Sequence, residues 1–255
     1  MSQRKSIYEL ELIVRKLTGQ DGCPWDKDQT HESLKRHLLE ECYEFLEAID
    51  KGDPANLLDE AGDILTQIIF HADMARRENK FDLGDVIDYI ARKLIRRHPH
   101  IFGDVEVADK QEVETNWELI KEQERGSRSA VVGIPNQAPA LVYAQLMQDR
   151  VGKDGFDWSQ IGGVLAKLSE EIEEFTRAEN QLEKSAEFGD LLFTLVNFAR
   201  WQDINAEDSL RQANNRFKKR YMTMERLSRE LGQSFKELSI VDKQNLWNEA
   251  KLLDN

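Results

Sequence analysis

"LLEECYEFLEAI", residues 38–49, sets four glutamates among apolar residues that recur at helical spacing. At about 100° per residue, Leu38, Cys42, Phe45, Leu46 and Ile49 fall on one stripe. Glu41 and Glu44 follow one margin of that stripe, while Glu40 and Glu47 face away. One acidic helix of this kind is ordinarily a solvated face. What decides the reading is whether the arrangement returns elsewhere in the chain.

It does return. "LLEECYEFLEAI" is followed by "LLDEAGDILTQIIFHA", and "LSEEIEEFTRAE" is followed by "SAEFGDLLFTLVNFAR". Both halves read Glu-Glu-x-x-Glu and then Glu-x-Gly-Asp, an internal repeat that organises the chain. Glu60 and Asp63 take the same flank of the stripe formed by Leu57, Ala61, Ile64, Leu65 and Ile68. In the second half Glu171 and Glu174 flank Ile172 and Phe175, and Glu187 and Asp190 flank Phe188, Leu191, Leu192 and Leu195. The order of motifs continues with "ARKLIRRHPH" and "ANNRFKKRYM", which place Lys93/Arg97 and Arg216/Arg220 four residues apart. "NWELIKEQE" and "LWNEAKLL" then place Trp117/Lys121 and Trp247/Lys251 four apart. A solvated face has no reason to repeat acid, acid, base and aromatic in one order twice.

The pattern predicts an all-α chain. Asp53-Pro54 reads as an N-cap with proline in the first turn. "RGSRSAVVGIPNQAPA", residues 125–140, is the least periodic stretch. It divides the chain into a first domain at 1–126, a linker at 127–139 and a second domain at 140–255. "DGCPWDKDQT" and "KDGFDWSQ" are matching loops ahead of the first acidic helix of each half, with Trp25 and Trp158 packing on that helix.

If the two acidic helices of each half pack antiparallel, four carboxylates converge at the edge of the core. Such a group repels itself unless a cation sits among it. Oxygen-only ligands suit Mg²⁺, with Mn²⁺ as a substitute, rather than zinc. Gly62 and Gly189, each costing about 1 kcal/mol in a helix interior, fit a close approach of another backbone or a ligand. The paired cations suit phosphate oxygens or a nearby acid on their own helix, and Trp117 and Trp247 suit a core anchor or the face for a nucleobase. Together these features describe a nucleoside polyphosphate site without a Walker-type glycine loop.

Composition limits the alternatives. A net charge of −13 disfavours nucleic acid and anionic membranes as partners. No apolar run is long enough for a membrane span, and "MSQRKSIYELELIVRKL" is amphipathic rather than a signal peptide. Cys23 and Cys42 make neither a disulfide framework nor a ligand cluster. A cytoplasmic protein is the expectation.

The duplicated "EECYE…DEAGD" and "EEIEE…AEFGD", with "CPWDKDQT", "RRHPHIFGD" and "KDGFDW", closely resemble the MazG family of nucleoside triphosphate pyrophosphohydrolases over nearly the whole chain. The resemblance implies two tandem all-α MazG domains in a homodimer, with four-helix cores completed across subunits. It also implies Mg²⁺-dependent hydrolysis of NTPs and dNTPs to the monophosphate and pyrophosphate. On this resemblance Glu171, Glu174, Glu187 and Asp190 hold metal in the second, catalytic domain. Arg216, Arg220, Trp247 and Lys251 bind the nucleotide, and Glu170 positions the attacking water. The family carries lysine where this chain has Arg216, which keeps the charge. The first half retains Glu41, Glu44, Glu60 and Asp63 as a second metal set, with Lys93, Arg97, Trp117 and Lys121 beside it and Glu40 in the place of Glu170. Two rival expectations are a narrower pyrophosphatase for dCTP, dUTP or phosphoribosyl-ATP, and a non-catalytic helical dimeric interaction module.

Overall fold

The structure, a computed structural model, describes residues 4–126 and 128–254. Helices carry the fold, and among the described residues there is no β-strand. The chain divides into two compact units at Gly126/Ser127.

The first unit contains α1 (Ile7–Leu17), α2 (Pro24–Lys27), α3 (Leu34–Lys51), α4 (Pro54–Arg77), α5 (Leu83–Arg97), α6 (Pro99–Phe102) and α7 (Lys110–Arg125). The second contains α8 (Ala140–Lys153), α9 (Ile161–Arg177), α10 (Gln181–Trp201), α11 (Ala206–Glu230) and α12 (Ile240–Leu253). In each unit an antiparallel helical hairpin, α3/α4 or α9/α10, forms the main packed pair.

Local chemistry sets where these helices begin and end. Asp53 accepts hydrogen bonds from the Ala55 and Asn56 amides, with Pro54 in the first turn of α4. Asn180 does the same for Leu182 and Glu183 at the start of α10. Gly52, at φ 61°, makes the tight turn between α3 and α4. Two residues past α4 and α10 stand Asn79 (φ 56°) and Asp203 (φ 54°), left-handed residues of the two types that tolerate it best. At both places the next amide reaches back to close the helix, Lys80 N to Ala75 O and Ile204 N to Ala199 O. The repeat thus extends to the terminators of the two long helices.

The first unit's core gathers Val14, Leu34, Ile69, Phe70, Met74 and Leu83, where the later half of α4 meets α1 and the start of α5. Asp73 is buried there with its charge answered by Arg76 at 2.7 Å and Arg77 at 3.2 Å. Thr18 Oγ1 donates to it at 2.8 Å. The second unit's core cluster joins Met224 and Leu227 of α11 to Leu246 and Ala250 of α12.

One expectation of the apolar pattern changes. The stripes beside the acidic motifs are not core within the chain: Ile49 is 50% exposed, Ile68 39%, Ile172 50% and Phe188 48%. Periodicity marks a face that avoids water, but it does not say which molecule covers it. Residues 128–139 of the expected linker also make contacts of their own. Ala130 and Ile134 are buried, and Arg150 on α8 donates to the Ala130 and Val132 carbonyls at 3.3 and 3.0 Å.

Candidate active site

Within each hairpin the acidic motifs converge. Glu41 of α3 meets Glu60 and Asp63 of α4, and Glu171 of α9 meets Glu187 and Asp190 of α10. In each set, one oxygen per residue lies within 4.8 Å of the others. Glu44 and Glu174 are not in those groups, though both act on them electrostatically. Burial first, and then Asp63, Glu44, Glu60 and Glu40, push the Glu41 carboxyl upward. Glu60 is raised by burial, then Glu44, Asp63 and Asp59. Glu187 is raised by burial, then Glu174, Asp190 and Glu171. Negative groups crowded in this way are short of positive charge. Gly62 and Gly189, beside Asp63 and Asp190, have open space around them: a Cβ at either would meet nothing within 4 Å. Among the described residues no packing demands those glycines.

The two sets differ in the cations beside them, Arg36 reaching Glu40 at 3.5 Å in the first unit. Lys167, a turn before the second acidic pair, reaches Glu170 at 2.7 Å and Glu171 at 2.8 Å, and these two, in that order, raise its pKa. The matching residue in the first unit is His37, which touches Glu40 at 3.3 Å. Glu171 is buried, and its Oε2 has no hydrogen-bond partner among the described residues. An acceptor-only oxygen hidden from water without a donor is costly. Glu40 and Glu170 are exposed, as is Glu47, which pairs with Lys51 at 2.6 Å.

The loops ahead of α3 and α9 pack on those helices. Trp25 meets the His37 ring edge-on at 6.1 Å. Trp158 lies so close to the backbone of Gly163 that a Cβ there would come within 2.5 Å of the indole. Only glycine admits that approach.

The basic and aromatic residues form a second constellation in each unit. The Arg97 guanidinium lies 5.1 Å from the Trp117 ring, and Arg220 lies 5.9 Å from Trp247, cation–π geometry in both. Lys251 Nζ adds a second cation 5.7 Å from Trp247, whereas Lys121 turns to Glu118 at 3.0 Å. Trp247 also meets Phe217 at 5.3 Å. It forms a wall of a cavity of about 530 Å³ lined as well by Phe217, Tyr221, Phe235, Lys243 and Gln244. Lys93 is half-buried and Arg216 exposed.

Each constellation is tied down by a carboxylate in the last turn of the unit. Glu124 takes Arg96 and Arg97, and Asp254 takes Lys219 and Arg220. Sequence spacing did not single these out, nor Lys167. The available signal was the repeat itself, since Glu124 and Asp254 both stand three residues after the paired lysine.

Residues 29–102 match the MazG nucleotide pyrophosphohydrolase domain. Along 245 residues the chain is 42% identical to the nucleoside triphosphate pyrophosphohydrolase/pyrophosphatase MazG of Thermotoga maritima, covering 95% of this chain and 94% of that protein. The chain belongs to the MazG family. A second MazG relative, the nucleoside triphosphate pyrophosphohydrolase of Escherichia coli, is 38% identical over 250 residues, 95% of each chain. The crystal structure of a MazG-related protein from Thermotoga maritima aligns with 45% of this chain and 97% of its own, at 32% identity and a TM-score of 0.39. The domain match lies in the first unit, from before α3 to the end of α6, while the relatives extend the MazG assignment across both units. No helix among the described residues is long and apolar enough to cross a membrane.

Proposed function

We propose that this MazG protein hydrolyses nucleoside triphosphates, ribo- and deoxyribo-, between the α- and β-phosphates, giving the monophosphate and pyrophosphate. The observation that carries the reading is the second unit's carboxylate set, in which Glu171, Glu187 and Asp190 bring oxygens within 4.8 Å of one another. The names of the two full-length relatives supply the substrate class.

The residues fit a hard divalent ion, Mg²⁺ or Mn²⁺. They offer oxygen only, they crowd negative charge, and among the described residues the buried Oε2 of Glu171 has no donor. Glu171, Glu187 and Asp190 would hold the ion, with Glu174 completing the negative field. When bound, it supplies positive charge for the phosphates and Lewis acidity toward the attacking water.

The chain's own residues do the rest. Glu170, exposed and anchored by Lys167, positions the water for attack on the α-phosphorus. As the new P–O bond forms, the bond from the α-phosphorus to the bridging oxygen breaks and pyrophosphate departs. Arg216, Arg220 and Lys251 take the phosphate oxygens, and Trp247 offers its face to the base. Positioning and charge stabilisation account for most of the acceleration in such a displacement. Glu41, Glu60, Asp63 and Glu44 make a second metal site in the first unit, with Lys93, Arg97, Trp117 and Lys121 in the places that correspond to the nucleotide-binding residues of the second.

The protein works as a homodimer in the cytoplasm. The exposed apolar faces flanking both acidic sets, Leu46 and Ile49 in one unit and Ile172 and Phe188 in the other, support a second copy that completes each hairpin into a four-helix core.

The test is product analysis with each NTP and dNTP, with and without Mg²⁺, scoring pyrophosphate against orthophosphate. Metal-dependent pyrophosphate that disappears in Glu171→Ala supports the reaction and the site together. Activity that survives the variant moves the chemistry to the first unit. No turnover of any nucleotide overturns the proposal.

A further inference from the structure

The carboxylates at the ends of the two units hold equivalent arginines in unequal ways. In the first unit Glu124 grips Arg97 with both oxygens, Nε to Oε1 at 3.4 Å and Nη2 to Oε2 at 2.5 Å. It also takes Nε and Nη2 of Arg96 on Oε1, at 2.8 and 2.5 Å. In the second unit Asp254 is one methylene shorter. It accepts only Nε of Arg220, at 2.9 Å, and spends its other oxygen on Lys219 at 2.6 Å. Among the described residues neither Nη of Arg220 has a hydrogen-bond partner, whereas Nη2 of Arg97 is taken.

The charge balance follows the geometry. Glu124 is held down to about 2, chiefly by Arg97 and then by Arg96. Asp254 is held below the ordinary carboxylate range chiefly by Lys219 and only then by Arg220. Arg97 is therefore the main counter-ion of its carboxylate, while Lys219 relieves Arg220 of that role. Arg220 is also the more exposed of the two side chains, 23% against 14%.

An arginine fork binds a phosphate through two parallel N–H groups, and a carboxylate fits the same fork. A carboxylate that takes one edge bidentately competes with phosphate for donors and charge. One that takes Nε alone fixes the plane and leaves both Nη groups to the ligand.

We infer that Asp254 is a positioning residue for triphosphate binding, anchoring Arg220 by Nε against Trp247 with both Nη groups turned over to phosphate, and that Glu124 instead occupies the fork of Arg97. The inference rests on the proposed nucleotide site. It makes a single Glu/Asp difference the element that separates a phosphate-ready unit from a self-paired one.

The experiment compares wild type with Asp254→Glu, Asp254→Asn and Arg220→Ala, and with Arg220→Ala carrying Asp254→Glu. Two readouts are used: KM and kcat for ATP with Mg²⁺, and calorimetric binding of tripolyphosphate, which has no base. Asp254→Glu is expected to raise KM and weaken tripolyphosphate about 5- to 10-fold, with kcat within about twofold, as loss of uniform binding does. Asp254→Asn keeps an acceptor for Nε and should stay within about threefold of wild type. In the Arg220→Ala background Asp254→Glu should have no further effect, since the two residues act as one unit. Unchanged constants in Asp254→Glu, or an equal change without Arg220, would overturn the inference. A wild type that binds tripolyphosphate but hydrolyses no nucleotide would fell the proposed reaction alone, and the binding comparison would still decide the role of Asp254.

Discussion

Lys167 Nζ lies 2.8 Å from Oε1 of Glu171, while Oε2 of the same buried carboxylate has no hydrogen-bond partner among the described residues. One oxygen is neutralised from within the helix and the other is left for something outside it. In Lys167→Met the acidic set loses the cation that α9 supplies to Glu170 and Glu171. Without Mg²⁺ this variant should be less stable than wild type by about 1–2 kcal/mol, the cost of leaving a buried acceptor unanswered. With saturating Mg²⁺ the gap should narrow. Equal destabilisation in both conditions would show that no ion substitutes for the lysine.

Removing the carboxylates should separate the two units. Glu171→Ala should lower kcat/KM by about 10²-fold or more, the scale of losing a principal charge-stabilising group. Glu41→Ala, in the first unit, should cost no more than about threefold, because there Arg97 stays paired with Glu124. Steady-state kinetics on the two variants, with helicity checked by circular dichroism, decides between them.

Mg²⁺ alone should raise the melting temperature. An ion that binds only the folded chain stabilises it by about 2.7 kcal/mol at a hundred times its Kd. Glu187→Gln combined with Asp190→Asn should abolish most of that shift. Thermal melts over a Mg²⁺ titration give the answer, and an undiminished shift would place the ion elsewhere.

The Glu124 pair gives a pH signature. Its carboxyl is lowered from an ordinary 4.5 to about 2 by Arg97 and Arg96. A depressed folded-state pKa contributes stability that is complete above the unfolded value and is lost as pH falls toward the folded one. Glu124→Gln should therefore differ from wild type in stability above about 4.5 and converge with it as pH approaches about 2. Denaturant titrations through the acid range test this; a constant difference would mean that the pair contributes nothing by charge.

Asp73 anchors the first unit's core. Its side chain is fully buried with two arginines and Thr18 around it. Asp73→Ala should destabilise this unit by about 3 kcal/mol, the lower part of the range for breaking a buried pair, because the arginines can still reach water. Fluorescence during urea unfolding sums Trp25 and Trp117 of this unit with Trp158, Trp201 and Trp247 of the second, so an earlier transition carrying only part of the signal reports it.

Much of this arrangement can be read from the residues. The cap at Asp53-Pro54 and the acid pairs on one helix margin are local features, set by spacing alone. Helical period is enough to bring Glu41 toward Glu60 once a short turn folds α3 back on α4. What spacing cannot show is a contact across helices: Glu124 on Arg97 and Asp254 on Arg220 depend on how the last helix of each unit lies against the basic one. Lys167 was legible in principle, one turn before Glu171, but a lysine among acids looks like any solvated ion pair. The stripe through Leu46 and Ile49 was legible as apolar, yet both side chains are exposed, and helical period alone does not say what covers them. Gly62 and Gly189 face open space, so among the described residues nothing in the packing explains them.

Arg150 holds the carbonyls of Ala130 and Val132, and that grip decides how the molecule would come apart. A protease acting on the chain would find residues 130–134 clasped to α8, so a cut on their N-terminal side leaves them on the later fragment. The later fragment would then leave with its own strap attached. An experimenter who trims the second half back to the start of α8 would instead expose the surface on which Ala130 and Ile134 are buried. Residues 130–134 therefore have to travel with the second unit whenever it is produced alone.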